Sequence, residues 1–276
     1  LQVDIDSQLI VGVESGMVSL ANGCVCCEVR DDLIGAIDFV LAQDSDVDAI
    51  VLEASGVAQP AGIARTFTAA EYRNRLRLDG IVAVVDGEQL PSQVEDPATR
   101  DLVYGQIGFS DLVVLNKIDL ADRSRLAEVR NFVLDRLPGV RILETTYTAV
   151  PYEILIGFGP PESNRDDRSD ALDSGHHHDG HGFTSWVYRR AGSFDIDALK
   201  LAITRLPRSV YRIKGFVRAS DEPDHRHLLQ AVGMRGDVQP YDEWGDRDPA
   251  TELVVIANAE CDDRPTVEHL LDECRA

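Results

Sequence analysis

The sequence predicts an α/β fold, in which a mostly parallel sheet flanked by helices is followed by a smaller α+β domain. Three short apolar runs begin 31 residues apart, at Ile50–Leu52, Ile81–Val85 and Leu112–Leu115. Runs in which nearly every residue is apolar are typical of parallel strands that are covered on both faces. The interval suits βαβ units, which need roughly 30 residues or more. Beyond residue 182 the pattern changes to alternating segments mixed with helical stripes.

Helical patterns fill the intervals between the apolar runs. Leu33, Ile37 and the pair Val40-Leu41 form one stripe at helical spacing. A second predicted helix ends at Pro138-Gly139. Its apolar positions are Leu126, Val129, Val133 and Leu137. The first part of the chain is therefore predicted to alternate strands with helices around a parallel sheet.

The second part of the chain begins after a polar segment. Residues 160–182 hold almost nothing that a core could use, and we predict a linker there. Strands are predicted at Phe183–Tyr188, Val210–Val217 and Leu253–Ala257. Helices are predicted at Ile196–Leu206, with Asp195 as its cap, and at Val267–Cys274. We therefore predict a first domain at 1–159, a linker at 160–182 and an α+β domain at 183–276.

Composition narrows the class of protein. The chain has 276 residues, 44% of them hydrophobic, and a formal net charge of -21 from 48 acidic and 27 basic side chains. Phosphate backbones repel such a surface, so we expect no nucleic-acid partner. No apolar run is long enough to span a bilayer, and no basic segment followed by an apolar one stands at the start. We therefore expect neither secretion nor a membrane partner.

Asn116-Lys117-Ile118-Asp119 directly follows the apolar run Leu112–Leu115. A carboxylate at the carboxyl end of a parallel strand can accept hydrogen bonds from N1–H and the exocyclic amine of guanine, a donor pair that adenine lacks. Asp119 would select guanine, Asn116 would brace the loop, and the aliphatic stem of Lys117 would lie across the base. The alternative is an ordinary polar loop after a strand.

Glu53-Ala54-Ser55-Gly56 follows the run Ile50–Leu52 in the same way. Glu53 would hold the shell of Mg²⁺ or a water, and Gly56 would let a backbone N–H approach a γ-phosphate. Ser55 is assigned to the same nucleotide site. The alternative is a simple turn, because Ser-Gly after a strand is usually no more than that. The position of this motif one crossover before the guanine-type motif favours the catalytic interpretation.

Gly23-Cys24-Val25-Cys26-Cys27 gathers three of the five cysteines within four positions. Three thiolates can fill most of a tetrahedral shell around Zn²⁺ or Co²⁺. The helix predicted to begin near Val29 would help to ionise the thiols, and Arg30 would act in the same direction. The alternative is buried structural cysteines, but adjacent cysteines point in different directions. Clustered thiols without a signal peptide also indicate a reducing compartment, the cytoplasm.

Histidines crowd into the predicted linker. Neutral imidazoles are common metal ligands, so four of them are candidate auxiliary ligands. These are His176, His177, His178 and His181. The alternatives are a solvated linker and an engineered scar. His225, His227 and His269 are predicted as solvated surface residues of the second domain.

Together these motifs resemble the CobW-type family of metal-handling GTPases, which is related to the UreG and HypB maturation factors. The similarity covers Ala21–Leu33, Glu53–Pro60 and Gln106–Leu120 in the first half. In the second half it covers Gly192–Asp195 and Tyr211–Phe216. The resemblance implies a P-loop NTPase-like sheet, followed by the C-terminal domain of that family.

The start of the chain departs from the family pattern. The family begins with a strand and a Gly-x-x-Gly-x-Gly-Lys-Thr loop that cradles the phosphates, and no such loop precedes the cysteine motif. Leu1 is not a start methionine. The missing strand would be central in the sheet, so a natural protein without it should fold poorly. We therefore expect about 40 further residues, the size of one βαβ opening, before Leu1.

The resemblance implies a GTPase that works as a metallochaperone or insertase. Its ligands would be GTP or GDP, Mg²⁺, and Zn²⁺ or Co²⁺, and its partner would be a metal-requiring client protein. Cys24, Cys26 and Cys27 fall where such GTPases carry a nucleotide-sensing switch. Mg-GTP would order the thiolates into a tight site, and hydrolysis would loosen it and release the metal to the client.

Two other functions stay open on the sequence. The first is a zinc-buffering protein without turnover, which the absent phosphate loop favours. The second is a redox protein that uses the vicinal thiols. That interpretation is weaker because no Cys-x-x-Cys stands in a thioredoxin-like context.

Overall fold

The computed structural model describes residues 33–35, 37–38, 40–42, 47, 49–68, 76–156, 183–233 and 235–276. Contacts divide the chain into two compact units. The first consists of Leu1–Leu78 with Asp101–Phe109, and the second of Asp79–Arg100 with Ser110–Ala276. Within the described part of the chain, no helix combines the length and the apolar character needed to cross a membrane.

The described residues of the first unit include two helical segments before residue 78. Helical residues lie between positions 33 and 42, where a helix was predicted, and Leu33 and Ile37 are buried. Helix α1 spans Pro60–Thr68. Proline suits the first helical position, because its missing N–H would have no partner there.

The apolar run Ile50–Leu52 does not form the predicted strand. Its three residues are 41%, 78% and 41% exposed, and they carry no strand assignment. An apolar run becomes a strand when a neighbouring strand completes its hydrogen bonds, and none of the described residues pairs with this one. The prediction of a strand buried on both faces is therefore wrong at this position.

The second unit contains a three-stranded parallel sheet in the order β1-β2-β3. Its strands are β1 at Val82–Asp86, β2 at Leu112–Asn116 and β3 at Arg141–Glu144. Residues Leu112 to Leu115 are buried, whereas Val84 of the outer strand β1 is 61% exposed. The parallel sheet is confirmed, but the prediction that β1 is covered on both faces is wrong. Among the described residues β1 pairs on one side only, so one edge and part of its surface stay open.

Three helices lie between the parallel strands, and a fourth follows β3. They are α2 at Leu90–Glu95, α3 at Pro97–Gly108, α4 at Arg123–Arg136 and α5 at Tyr152–Ile156. Helix α4 begins at its cap Asp122, whose side chain accepts a hydrogen bond from Arg125 N, and it buries Val129 and Val133. This is the helix that the apolar spacing predicts before Pro138-Gly139.

A five-stranded antiparallel sheet follows, in the order β4-β8-β5-β6-β7. The strands are β4 at Phe183–Ala191, β5 at Val210–Arg218, β6 at His225–Val232, β7 at Arg235–Glu243 and β8 at Ala250–Asn258. Helices α6 at Ile196–Thr204 and α7 at Arg264–Asp272 accompany it. Asp195 caps α6 by accepting a hydrogen bond from Ala198 N at 2.9 Å, as predicted.

The hairpin of β6 and β7 was not predicted. Strand β7 is largely polar, and Val238 is its one buried residue. His227 on β6 is buried, with Nε2 3.4 Å from Glu222 Oε2, so its prediction as a solvated histidine is wrong. His225 and His269 are exposed, as predicted.

One apolar cluster joins the parallel and antiparallel sheets within the second unit. Its members are Leu112, Val114, Leu143, Ile154, Phe183, Tyr211, Val232 and Ile256. A larger cluster lies between the antiparallel sheet and helices α6 and α7. Burying one such side chain contributes about 1.5–3 kcal/mol, so both clusters hold the unit together.

Buried arginines reinforce this packing. Arg141 at the start of β3 is 1% exposed and donates to the carbonyls of Val210 at 3.0 Å and Leu206 at 3.3 Å. Arg212 on β5 donates to Leu155 O at 2.8 Å and pairs with Asp79 at 3.3 Å. The predicted fold class, a parallel sheet followed by an α+β part, is thus confirmed. The limits proposed for the two domains and their linker stay a prediction.

Candidate nucleotide-binding site

The carboxyl ends of the three parallel strands form one edge of the sheet. Asp86 and Asn116 are register partners at the ends of β1 and β2, and Thr145 directly follows β3. Ligands of parallel α/β sheets bind outside this edge, because loops and unpaired backbone groups gather there. The guanine-type motif predicted from the sequence, Asn116 to Asp119, therefore lies where a nucleotide would be bound.

Asn116 ties two loops together. Its Nδ2 donates to Thr148 Oγ1 at 3.0 Å, and its Oδ1 accepts from Thr148 N at 2.8 Å. Thr145 Oγ1 is a further donor to Asn116 Oδ1, at 3.4 Å. Asn116 thus braces the loop after β3, a loop that the sequence did not identify.

This loop has an uncommon backbone. Tyr147 and Thr148 have φ values of 54° and 53°, in the left-handed region that residues other than glycine, and β-branched ones above all, seldom adopt. Such residues cluster at functional sites, where surrounding contacts hold them in place. Tyr147 is 90% exposed beside the motif.

Lys117 has the same left-handed backbone, with φ of 61°. Its Nζ lies 2.7 Å from Asp86 Oδ2. The hydrogen bond to Asp86 raises the pKa of Lys117 above its ordinary value. Burial raises the pKa of Asp86, but hydrogen bonds from Lys117, Gln89 N and Glu88 N outweigh it and leave that pKa below its ordinary value. Both groups are therefore charged at neutral pH.

Gly87 brings the ends of β1 and β2 together. Its N–H donates to Asn116 O at 2.8 Å. A Cβ at this position would lie 3.1 Å from the same oxygen and 3.3 Å from Leu126 Cδ2. Glycine at position 87 therefore permits this close approach.

Asp119 is exposed at the tip of the motif. It lies within a turn that is closed by the bond from Leu120 N to Lys117 O at 3.1 Å. An open depression of about 410 Å³ lies alongside, lined by Glu88, Leu120, Ala121, Asp122, Ser124, Arg125 and Glu128. The carboxylate of Asp119 is thus presented to solvent, where a base can reach it.

The Glu53 motif lies in the first unit. Glu53, Ser55 and Gly56 are exposed, and Ser55 O accepts from Ala58 N at 2.8 Å. Gln106 Nε2 donates to Gly56 O at 2.9 Å and to Ala58 O at 3.1 Å. Among the described residues other than its chain neighbours, none has an atom within 4 Å of a Cβ built on Gly56, so these residues leave space beside its backbone. The roles assigned to these residues stay predictions.

The predicted metal ligands lie outside the described residues. These are Cys24, Cys26, Cys27, His176, His177, His178 and His181. Within the described ranges, no group of three or more His, Cys, Asp or Glu side chains is placed to hold a metal ion.

Sequence reasoning missed two parts of this site. Asp86 follows the predicted strand Ile81–Val85 just as Asn116 follows the next one, so the same rule would have found it. Thr145 and Thr148 carried no such signal, because β3, with the sequence Arg-Ile-Leu-Glu, is short and half polar.

Comparison with known proteins gives matches to both halves of the chain. Residues 1–143 match the family described as CobW/HypB/UreG, nucleotide-binding domain, and residues 183–275 match the cobalamin synthesis protein cobW C-terminal domain. A zinc chaperone CobW of Sinorhizobium sp is 33% identical over 281 residues, covering 91% of this chain and 78% of the relative. The zinc-regulated GTPase metalloprotein activator 1 of Schizosaccharomyces pombe is 37% identical over 131 residues, covering 47% and 31%. The crystal structure of Zn(II)-bound YjiA GTPase from E. coli is 20% identical, covers 93% of this chain and 81% of that chain, and has a TM-score of 0.38.

Proposed function

Because the chain belongs to the CobW/HypB/UreG family, whose nucleotide-binding and C-terminal domains it matches over 1–143 and 183–275, we propose that it is a GTP-dependent metallochaperone. The family resemblance predicted from the three motifs is confirmed. In this proposal the protein is a GTPase that binds Zn²⁺ or Co²⁺ through Cys24, Cys26 and Cys27. It delivers the ion to a client protein when GTP is hydrolysed.

The proposed nucleotide binding is supported by the hydrogen bonds that brace the carboxyl edge of the parallel sheet. Asn116 holds the loop after β3 through Thr148, and Asp86 holds Lys117 beside it. Asp119 presents an acceptor pair to solvent next to both. A guanine base entering here would meet the Lys117 stem on its face and the Asp119 carboxylate at its N1–H and amine edge.

In this proposal the Glu53 motif provides the groups that act in GTP hydrolysis. Glu53 would hold Mg²⁺ through water or orient the attacking water, and Ser55 would contact the nucleotide. The open space at Gly56 leaves room for its backbone N–H to approach a γ-phosphate. Mg²⁺ binds such sites through one or two carboxylates together with substrate phosphates, which suits an exposed glutamate.

The proposed choice of metal follows from the chemistry of the cysteine thiolates. Thiolates bind Zn²⁺ and Co²⁺ alike, and intrinsic affinity favours Zn²⁺. Relatives carry the name zinc chaperone, which supports zinc as the cargo. The histidines His176, His177, His178 and His181 would act as auxiliary ligands. Vicinal thiols need a reducing compartment, so we place this activity in the cytoplasm.

Coupling between nucleotide binding and metal binding is the feature that makes the protein a chaperone. The test is a metal competition titration on the full-length protein with Mg²⁺ present, with GDP in one arm and a non-hydrolysable GTP analogue in the other. We expect the metal to bind about 5–150 times more tightly in the GTP-like state, the usual range of coupling between two sites. Linkage requires the metal to tighten the GTP analogue by the same factor.

A control variant identifies the ligands. Replacing Cys24, Cys26 and Cys27 by Ser should remove the sulfur-to-cobalt charge-transfer band of the Co²⁺ form and leave GDP binding in place. A surviving band would place the metal at other ligands. Equal metal affinities in the two nucleotide states would instead describe a zinc-buffering protein that does not use hydrolysis for release.

A further inference from the structure

We propose that Asp86 is a positioning residue for the guanine base and that it acts through Lys117. This inference rests on the proposed function, because it assigns a role within the same nucleotide site. It adds a residue that stands 31 positions before Lys117 in the chain and belongs to a different strand.

The carboxylate of Asp86 is held at both of its oxygens. Oδ1 accepts from Glu88 N at 2.9 Å and from Gln89 N at 3.0 Å, at the beginning of α2. Oδ2 accepts from Lys117 Nζ at 2.7 Å. Because the backbone of the α2 turn fixes Oδ1, Oδ2 points in one direction, and the ammonium group of Lys117 is held there.

The positions of the two residues are fixed by the sheet. Asp86 and Asn116 are register partners, and Gly87 N donates to Asn116 O at 2.8 Å. Lys117 directly follows Asn116, so it lies at the end of β2, next to Asp86 at the end of β1. The backbone of Lys117 is left-handed, with φ of 61°, directly after β2 ends at Asn116.

The ion pair between Asp86 and Lys117 strengthens binding of the guanine base, because a lysine side chain is otherwise long and flexible. An exposed lysine loses rotamer freedom when it is laid against a base, and that loss weakens binding. Lys117 is 46% exposed in its side chain, so packing does not hold it, whereas its ion pair with Asp86 does. Because the ion pair already orders the Lys117 side chain before the base binds, binding costs less conformational entropy.

The competing explanation is that Asp86 only closes the turn that leads into α2. Asp86→Asn separates the two roles, since an amide oxygen can still accept from Glu88 N and Gln89 N but carries no charge for Lys117. Lys117→Met keeps an unbranched apolar stem and removes the ammonium group. The two variants and their combination form a double-mutant cycle, read out as the Kd of a fluorescent GDP on the full-length protein.

We expect Asp86→Asn to raise the Kd about 3- to 10-fold in the parent, the range of a partly exposed charged pair. In the Lys117→Met background the same change should alter the Kd by less than about 2-fold, because no ammonium group is left to position. Asp195→Asn is the matched control. It makes the same substitution at a helix cap, that of α6, and should leave the Kd unchanged.

The outcomes are distinguishable. An equal rise in Kd in both backgrounds would mean that Asp86 acts through the fold and not through Lys117, and no rise at all would remove it from the site. Thermal unfolding of each variant reports whether the fold has changed. A parent that binds no guanine nucleotide overturns the proposed function together with this inference, whereas a parent that binds GDP tightly alongside an unaffected Asp86→Asn variant overturns the inference alone.

Discussion

Asn116 and Thr148 hold each other through two hydrogen bonds. Thr148 N donates to Asn116 Oδ1 at 2.8 Å, and Asn116 Nδ2 donates to Thr148 Oγ1 at 3.0 Å. The pair joins the end of β2 to the loop after β3, 32 residues later. A residue held in an unfavourable backbone region costs of order 1–3 kcal/mol, so the left-handed Tyr147 and Thr148 need such a brace.

Asn116→Ala should release this loop. Losing hydrogen bonds that each contribute about 0.5–1.5 kcal/mol should weaken GDP binding by about 2 kcal/mol in all, or ~30-fold. Hydrogen exchange of residues 145–149 should rise at the same time. Asn258→Ala is the control, because Asn258 also ends a strand and bonds a neighbouring loop through Glu260 N, but on β8. Unchanged GDP affinity in Asn116→Ala would contradict the bracing role.

Asp119→Asn should change which base is bound. The variant should lose about 1–3 kcal/mol of GTP binding, by analogy with bidentate base contacts, and should favour xanthosine triphosphate, whose exocyclic oxygen replaces the amine. The control is Asp122→Asn, the same substitution three positions on, where the side chain caps α4. The measurement is competition of GTP, ATP and xanthosine triphosphate for one site. Equal binding of ATP and GTP by the parent would refute the assignment of Asp119.

Arg141→Met should destabilise the whole second unit. Arg141 donates to Val210 O and Leu206 O across the packed sheets, and also to Gly139 O at 2.9 Å. Burial lowers the pKa of Arg141, yet the group stays charged at neutral pH. Leaving these carbonyls without a donor should lower the free energy of unfolding by about 2–4 kcal/mol, measured by urea denaturation.

The control for Arg141 is Arg136→Met on the exposed end of α4. That guanidinium donates to Phe132 O at 3.0 Å within its own helix. Its removal should change the free energy of unfolding by less than about 0.5 kcal/mol. Similar losses in the two variants would show that burial between the sheets does not set the contribution of Arg141.

Asp272 makes stability depend on pH. Arg190 binds it at both oxygens, over 2.9 Å and 3.1 Å, and Tyr188 OH donates at 2.9 Å. The hydrogen bond from Arg190 lowers the pKa of Asp272 below its ordinary value of 3.8, and that from Tyr188 acts in the same direction. A lowered pKa means that this contribution is fully present above pH 3.8 and is lost as the pH falls through the folded value.

Asp272→Asn should therefore cost about 1 kcal/mol at neutral pH, a modest amount because the pair is partly exposed. The difference from the parent should shrink as the pH falls below about 4. Urea denaturation at several pH values measures both. Asp197→Asn on α6, where the carboxylate is 96% exposed, should show no comparable pH dependence. A difference that stays constant with pH would mean that the ion pair is not its cause.

Local features of the sequence predicted much of the fold. The apolar runs located β1 and β2, helical spacing located α4 and α6, and Asp195 was found as a cap from its residue type alone. These predictions were confirmed because the spacing and type of apolar residues indicate which side chains a helix or strand buries. Motif spacing likewise identified the family, since the order of three short motifs along a chain is a property of sequence.

Long-range pairing was decided by the tertiary structure. The contacts of Asn116 with Thr148 and of Lys117 with Asp86 join residues about 30 positions apart, and no local pattern states which strand ends will meet. The same limit explains the exposed run Ile50–Leu52 and the hairpin that β6 forms with the largely polar β7. A strand forms only when neighbouring strands complete its hydrogen bonds. Arg141 is buried because another surface packs over it. The strand and the buried arginine therefore both depend on residues far away in the chain.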